Sequence, residues 1–558
     1  MERADPGSGR SRTKKAEKSQ LLILLRFPFL YWVCGGKRDP KHSFTEVHAM
    51  RDKWSSRSTF ILAAVGSAVG LGNAWRFPGL AAKHGGGAFL FVYILAMLLI
   101  GIPMLMMEIA IGRHSRQGAP GSMRSVNKAG EHAGWIAVSN GIAIAIYYAV
   151  VFAWVILMFL LSFKFAGLTG DTDAASKLWL TTINTTGTTS GFTTVSWPVL
   201  GCLLIAWVAC YLCIRNGTTS VGKVVKYTVS LPVICLLILA IRGFTMPGAM
   251  AGLAKLFVPD WSALGDSTLW VDAIGQVFYS LSVAMAIMFA YGSFVDEKAN
   301  IAVDCVIIAV SDFVISLLAG IVMFTTMAGV GMLENMSASG ISTAFIIYPQ
   351  AIVSLTKVPW INAAFAYIFY FCLVTLAIDS LFSIVEGTST AIADKFGLNK
   401  KKTTTVLCVI EGVLGLVYVT GAGLACLDIV DNFVNSYTLI LTGIFEVIVV
   451  GWCFKTSKVL DQVNLNTQKF RMPKWWFYLS IKYAAPVILT ALFVWNVVSL
   501  FMGGGIYGAA DGYSLISNII LGWLIMGLSL ISGFIVKGIA KSKKNYVEEE
   551  GSWDGKKE

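Results

Sequence analysis

Long apolar runs recur along this chain at short intervals, and each is about as long as a membrane-spanning helix must be. We count twelve such runs, with centres near positions 70, 100, 150, 205, 232, 283, 316, 375, 412, 442, 488 and 525. A helix that crosses the hydrocarbon core of a bilayer needs roughly 20 predominantly apolar residues. The pattern predicts an all-α membrane protein with about twelve transmembrane helices in one polytopic domain over residues 51–540.

Two of these runs are interrupted by segments that disfavour a continuous helix. The run over 57–83 is broken at 69–73 (VGLGN), and the run over 271–295 is broken at 280–284 (SLSVA). An unpaired backbone group in hydrocarbon costs several kcal/mol, so non-helical backbone at membrane depth is tolerated only where it lines a protein cavity. A matched pair of interrupted spans indicates the substrate and ion site of a secondary transporter.

The two interruptions divide the chain into two sets of five spans, over about 51–243 and 265–455. Because five is odd, the second set enters the membrane from the opposite side, which predicts a 5+5 inverted repeat with discontinuous helices 1 and 6. The last two spans, at about 475–538, carry no acidic residue at membrane depth and are predicted to be peripheral. In the loops, 332–356 is predicted to carry a short helix over the outer face.

The charge distribution supports the same class of protein. Only 14% of the residues are charged and 56% are hydrophobic, which excludes an ordinary soluble protein. The net charge of +12 comes from basic residues in alternate loops, such as 113–128, 395–402 and 455–474, whereas 328–350, 417–435 and 500–515 contain no Lys or Arg. This asymmetry predicts a plasma or inner membrane protein with both termini in the cytoplasm, and it argues against a nucleic-acid partner.

The termini and the cysteines add little chemistry. Residues 1–50 form a basic tail whose one apolar stretch, at 21–33, is too short to span and contains Arg26; we expect a disordered or lipid-surface segment rather than a signal sequence. Met50 leaves open whether residues 1–49 belong to the mature protein, and 541–558 is a charged tail. The ten cysteines and five histidines show neither paired disulfide spacing nor zinc-ligand spacing, so neither kind of site is predicted.

Four acidic residues fall at bilayer depth, where a charge costs at least roughly 2.5–3.5 kcal/mol and is a functional candidate by default. They are Glu108, Asp312, Asp379 and Glu386. Asp379 is followed by Ser380, and hard oxygen ligands of this kind suit an alkali cation. The alternative is a carboxylate that only hydrogen-bonds a neighbouring helix. At the first break, the amide groups of Leu71 and Gly72 begin a half-helix that favours an anion.

Six motifs along the chain resemble those of a known family. The motifs are GSAVGLGNAWRFP at 66–78, HGGGAF at 84–89, GIP at 101–103, IYY at 146–148, GQVFYSLS at 275–282 and DSLF at 379–382. Together, over about residues 51–500, they strongly resemble the neurotransmitter:sodium symporter family, which has the LeuT-type fold. The short loop after the third span is similar to the bacterial amino-acid transporters of this family, although the sequon at Asn184 weighs against that branch.

The resemblance implies two sodium ions and no organic cofactor. The first sodium site would use Ala68, Asn73, Ser280 and Asp312 together with the substrate carboxylate, and the second would use Gly66, Val69, Leu376, Asp379 and Ser380. Substrate would contact Gly70, Leu71, Gly72, Ile144, Tyr148, Tyr279, Ser282, Met285 and Ile384. Glycine at position 70, where monoamine transporters of the family have aspartate, implies an amino-acid substrate.

The resemblance also implies moving parts. Arg76 and Asp431 would form an outer gate; Arg51 and Asp394 would form an inner gate with Trp54 as its hydrophobic plug. Span 5 carries Gly222 and Pro232, which predict either a tolerated kink or a hinge that unwinds to admit water. Tyr93, Gln276 and Ser316, with Ser280, would be the remnant of a chloride site in which Asp312 replaces the family's asparagine.

The sequence therefore predicts a sodium-coupled symporter of hydrophobic L-amino acids that works by alternating access without chloride. Alanines at 284 and 286 are expected to trim the pocket where relatives often have glycine, while Met285 adapts to different side chains. The alternative is a non-transporting amino-acid sensor on the same fold. A channel, a pump and a membrane enzyme lack their sequence signatures. The preferred amino acid, the ion stoichiometry, proton antiport on the return step and the oligomeric state stay open.

Overall fold

The structure is a computed structural model that describes residues 52–336, 339–466, 470–539 and 553. The predictions for the tails at 1–50 and 541–558, apart from Trp553, lie outside the described residues, as does Arg51 of the predicted inner gate. Within the described part of the chain the secondary structure is helical, and no β-strand forms.

In chain order the helices are α1 (Arg57–Ala68), α2 (Gly72–Lys83), α3 (Gly87–Ser115), α4 (Ala119–Val126), α5 (Gly130–Leu161), α6 (Lys164–Gly167), α7 (Thr172–Ile183), α8 (Trp197–Ile214), α9 (Thr218–Phe244), α10 (Ala249–Phe257), α11 (Ser267–Ser280), α12 (Ile287–Ser293), α13 (Ile301–Gly329), α14 (Gly340–Ser354), α15 (Pro359–Phe396), α16 (Lys400–Val419), α17 (Gly423–Gly451), α18 (Thr456–Val463), α19 (Lys474–Met502) and α20 (Leu515–Ile539). Single 3₁₀ turns lie at Trp261–Gly265, Leu333–Asn335 and Ala509–Asp511. The short helix predicted within 332–356 is α14.

Side-chain caps set where several helices begin. The Ser56 hydroxyl accepts from the Thr59 amide at 3.1 Å at the start of α1, and Asn300 caps α13 through the Val303 amide at 3.2 Å. The Asp266 carboxylate accepts from the amide and the hydroxyl of Thr268 at 2.8 and 2.7 Å at the start of α11, and these bonds lower the pKa of Asp266. Such caps satisfy amides that have no partner inside the helix.

Ten helices of the described residues are long and apolar enough to cross a bilayer, and α1 with α2 forms an eleventh span that is bent by 54°. Neither α11 nor α12 is long enough to cross a bilayer by itself, and six residues separate them, so a total of twelve spans requires counting that pair as one. The multi-pass, all-α architecture is therefore as predicted. The count of twelve and the inverted repeat stay predictions.

The interior of the bundle is formed by long helices that are buried on most sides. The apolar windows of α5 and α15 are 78% and 83% buried inside the protein, and the two helices pack along each other. In contrast, α19 and α20 are each 22% buried and lie at the periphery. The broken segments α1–α2 and α11–α12 are packed within this interior, so their unwound residues face protein and not lipid.

Candidate functional site

A small enclosed cavity lies where the two broken segments meet α5 and α15. The volume open to the centre of a water-sized sphere is about 20 Å³, which is room for about one water molecule. Its lining consists of Ser67, Ala68, Gly70, Asn73, Ile144, Tyr148, Tyr279, Ser282, Met285, Ser380 and Ile384. Seven of the nine predicted substrate residues are among them. Leu71, in the adjacent break, and Gly72, the first residue of α2, are both described and do not line this cavity.

The first break separates α1 from α2 at residues 69–71. Gly70 donates its amide hydrogen to Asn73 Oδ1 at 2.9 Å, which closes the turn across the break. A Cβ at Gly70 would lie 2.6 Å from Ser380 Oγ and 3.5 Å from the Tyr148 hydroxyl, so the absence of a side chain keeps the cavity open here. The helix resumes with π-helical geometry over Gly72–Arg76, a geometry that is frequent at functional sites.

The second break runs from Leu281 to Ala286 and is built from left-handed backbone. Ser282, Ala284 and Ala286 have φ values of 53°, 61° and 65°. For a residue with a Cβ this conformation costs roughly 1–2 kcal/mol, so surrounding contacts must hold it. One is the buried Glu108 of α3, whose Oε1 accepts from the Ala284 amide at 2.8 Å. Sequence reasoning singled out Glu108 as a buried acid but gave it no role.

The cavity is bounded at this break by Met285 and Ser282, and neither Ala284 nor Ala286 is on its wall. The expectation that the two alanines trim the pocket is therefore wrong for this structure. The side chains of both alanines are fully buried among the surrounding helices. Their effect is on backbone strain, because each holds a left-handed conformation that glycine would adopt without strain.

A dense polar cluster surrounds Asp312 of α13. Asn73 Nδ2 lies 2.7 to 2.8 Å from Ser280 Oγ, Asp312 Oδ1 and Ser316 Oγ, and Ser280 Oγ donates to the Asp312 carboxylate at 2.8 Å. The Tyr93 hydroxyl donates to Asp312 Oδ2 at 3.4 Å. An amide nitrogen has only two hydrogens, so it cannot donate to all three of these oxygens at once. The three oxygens, from Ser280, Asp312 and Ser316, form a cage that also fits a cation. Gln276 is turned away and donates to the Gly72 carbonyl at 3.4 Å.

The residues of the predicted second sodium site come from the inner half of the first segment and one turn of α15. Asp379 packs closely against α1, since a Cβ on Gly66 would lie 2.7 Å from Asp379 Oδ2. Asp379 is 2% exposed, and its Oδ1 has no hydrogen-bond partner among the described residues. Ser380 Oγ lies 3.5 Å from the Leu376 carbonyl. A buried carboxylate oxygen without a partner is what a site for a small cation offers.

Comparison with known proteins decides the family. The profile of the "Sodium:neurotransmitter symporter family" matches residues 51–169 and 166–541. An uncharacterised sodium-dependent transporter of Methanocaldococcus jannaschii is 33% identical over 496 residues, which is 87% of this chain and 97% of that protein.

The chain belongs to the sodium:neurotransmitter symporter family. It is thus a sodium-dependent transporter of the membrane and not an enzyme.

One further relative and one solved structure also match this chain. The human "sodium- and chloride-dependent GABA transporter 2" is 29% identical and covers 80% of both chains. A solved structure of MhsT in complex with L-phenylalanine matches with a TM-score of 0.66 at 30% identity, over 80% of this chain and 99% of that chain.

In this symporter the halves of the two broken segments are tied to each other in pairs. At one end, Asp272 of α11 accepts from His84 at 2.7 Å and from Lys83 of α2 at 3.0 Å. At the other end, Trp54, before α1, donates its Nε1 hydrogen to the Tyr291 carbonyl of α12 at 3.1 Å. Each half of one segment is thus coupled to the matching half of the other.

The two residues of the predicted outer gate do not form a direct ion pair. Arg76 and Asp431 are both described, and no ion pair within 4.0 Å links them. The Arg76 guanidinium lies 5.9 Å from the ring centroid of Tyr279, while Asp431 Oδ1 accepts from Asn435 Nδ2 at 2.7 Å. Tyr279 thus lies between the guanidinium and the cavity. Whether the two charges act as a gate stays a prediction.

The side that the sequence predicts to face the cytoplasm is covered by Trp54, which is 8% exposed. Its indole packs edge-on against Tyr291 and Phe294, with ring centroids 5.2 and 6.0 Å apart, and its amide donates to the Phe294 carbonyl at 3.1 Å. Asp394 Oδ2 accepts from the Gly118 amide at 2.7 Å, at the start of α4.

The span with Gly222 and Pro232 is helical on both sides of Val229, which keeps helical dihedral angles although the pattern of backbone hydrogen bonds changes there. Proline has no amide hydrogen, so Pro232 cannot donate to the Thr228 carbonyl and the helix is interrupted there. The interruption faces residues of the predicted second sodium site, since the Thr228 side chain is within hydrogen-bonding reach of Asp379 and a Cβ on Gly66 would touch Val229 at 2.9 Å. Gly222 itself lies inside the helix.

Proposed function

We propose that this protein carries hydrophobic L-amino acids into the cell together with sodium, by alternating access around the cavity between the two breaks. One observation supports this most directly. The Tyr148 hydroxyl is buried at the cavity wall and has no hydrogen-bond partner among the described residues. A donor in that position suits a substrate carboxylate, which the amides of the first break would also attract.

The rest of the wall supports an apolar substrate side chain. Ile144, Ile384 and Met285 face the cavity, and no lining residue is charged. A substrate amino group would donate hydrogen bonds to backbone carbonyls of the breaks and would not pair with a carboxylate, since position 70 is glycine. The solved relative MhsT, bound to L-phenylalanine, agrees with a substrate of this class.

We further propose two sodium ions per substrate, one at each predicted site. At the first, Asn73, Ser280 and Asp312 with Ala68 would hold the ion beside the substrate carboxylate. At the second, Gly66, Val69 and Leu376 would supply carbonyls, and Asp379 and Ser380 side-chain oxygens. The unpartnered Asp379 oxygen supports the second assignment, and the Ser280 and Asp312 oxygens that surround Asn73 Nδ2 support the first.

Transport is proposed to be independent of chloride. The Asp312 carboxyl group lies among Tyr93, Ser280 and Ser316, the groups that would otherwise surround an anion, and when ionised it would supply the negative charge there. At low dielectric a charge at this position compensates the sodium ion.

The test is uptake of labelled L-leucine and L-phenylalanine into proteoliposomes. We expect uptake under an inward sodium gradient, none when potassium replaces sodium, and no change when gluconate replaces chloride. Loss of uptake in gluconate would overturn chloride independence. Sodium-dependent binding without counterflow of labelled amino acid would identify a sensor and contradict transport.

A further inference from the structure

A stripe of polar residues runs down one face of α15 from the cavity to the end of the helix. Asp379, Ser383, Glu386, Thr390 and Asp394 follow one another at intervals of four, three, four and four residues. Residues with this spacing share one face of a helix. The first four are no more than 3% exposed, which is an unusual position for polar groups in an apolar span.

The upper part of the stripe is continuous with the second sodium site. Ser383 Oγ donates to the Ser380 carbonyl at 2.8 Å and accepts from Ser67 Oγ at 2.9 Å. The buried Tyr291 hydroxyl of α12 lies near Ser383 and interacts electrostatically with the carboxyl groups of both Asp379 and Glu386. Seven residues of helix separate those two carboxyl groups, about 10 Å along the axis.

The lower part of the stripe already holds a cation. The ammonium of Lys400, the first residue of α16, donates to the Glu386 carbonyl and to Ser389 Oγ, each at 2.9 Å, and also to Thr390 Oγ1. It lies 3.3 Å from Glu386 Oε1. Glu386 Oε2 is buried and has no hydrogen-bond partner among the described residues. These oxygens form what we call the Glu386 cradle: Glu386, Ser389 and Thr390.

We propose that the Glu386 cradle is a third cation site on the route by which sodium leaves Asp379, and that the Lys400 ammonium occupies it while the inner side is closed. The proposal rests on the proposed function. One carboxylate at low dielectric compensates one positive charge, so the ammonium and a sodium ion exclude each other. In the closed state Lys400 thereby keeps cytoplasmic sodium from entering. When the inner side opens, the ammonium leaves and the departing ion takes its place.

The chain around Lys400 allows that movement. The segment between α15 and α16 is short, with Gly397 in a left-handed conformation at φ 61°, and the Lys400 side chain is 31% exposed. Trp54 and Tyr291 contact each other, and the Tyr291 hydroxyl interacts electrostatically with Glu386, so we expect a movement that separates the two rings to change the access to Glu386.

The test compares Lys400→Met with Lys401→Met, a matched change at the exposed neighbouring lysine. We expect sodium inside proteoliposomes to inhibit the uptake of labelled L-leucine by Lys400→Met at about tenfold lower concentration than in the unmodified protein. Equilibrium binding of radioactive sodium, without amino acid, should show one additional ion bound per Lys400→Met molecule. Lys401→Met should match the unmodified protein in both measurements.

Lys400→Met leaves a buried carboxylate unpaired, which costs stability. The double variant Lys400→Met/Glu386→Gln removes both charges, and we expect it to lose the additional sodium and the increased inhibition. An unchanged sodium inhibition in a folded Lys400→Met protein, or an additional ion that persists in the double variant, would overturn the proposal. Failure of the proposed function would look different, because the unmodified protein itself would then show no sodium-driven uptake.

Discussion

Glycine at position 70 keeps the first break open to the cavity. The position is enclosed by Ser380 and Tyr148, and the smallest possible side chain already meets Ser380 Oγ at 2.6 Å. The residue therefore determines what can reach the Tyr148 hydroxyl.

Replacing Gly70 by alanine is expected to weaken amino-acid binding at least tenfold, because the methyl group occupies the space beside Tyr148 and pushes on Ser380. Binding of labelled L-leucine in the presence of sodium measures this. Gly527→Ala in α20 is the control, since a Cβ there would meet no atom within 4 Å. Unchanged binding by Gly70→Ala would show that the amino acid does not lie at this cavity.

Asp312 is the residue that we propose makes transport independent of chloride. We expect Asp312→Asn to transport poorly in chloride-free solution and to recover when chloride is added, because chloride can then supply the missing negative charge beside sodium. Uptake in gluconate and in chloride compares the two states. Asp173→Asn, at an exposed acid of α7, should be indifferent to the anion. A chloride-indifferent Asp312→Asn protein would contradict the assigned role of the carboxylate.

The broken segments show how far sequence reasoning reaches at the scale of an element. Glycines at 70 and 72 made the first break predictable to within a residue or two. The second was placed at 280–284, whereas the structure leaves Leu281 to Ala286 outside the helices. Alanine is the best helix former, so nothing local signals that Ala286 is left-handed. The conformation is held by tertiary contacts such as the bond from Ala284 to Glu108, which is 176 residues away.

Strain in the second break is measurable. Ala286→Gly should stabilise the folded protein by roughly 1 kcal/mol, because glycine adopts φ 65° without a Cβ clash. Ala290→Gly, inside α12, should instead destabilise it by roughly 1 kcal/mol through the poor helix propensity of glycine. Thermal unfolding in detergent distinguishes the two changes. The same direction of shift for both variants would contradict the assigned backbone conformations.

For the whole molecule, the sequence predicted a helical membrane protein from apolar runs alone, because a bilayer imposes that length and composition. The residues themselves indicated the two breaks and the buried acids, but the full sets of site residues were predicted only through resemblance to a family. Asn73 and Asp312 are in contact although 239 residues separate them, and no periodicity indicates such a pairing. The contacts of Lys400, and the finding that no ion pair joins Arg76 to Asp431, could not be predicted either. Both depend on side-chain positions in one conformational state.

In the proposed mechanism of the whole molecule, sodium and the amino acid complete the same unwound backbone and so favour each other's binding. The most direct test is equilibrium binding of labelled L-leucine to the purified protein in sodium and in potassium, together with sodium binding with and without amino acid. We predict that sodium raises the affinity for the amino acid at least tenfold, and that the amino acid raises the affinity for sodium by the same factor, as linkage requires. Equal amino-acid affinity in sodium and in potassium would contradict the account.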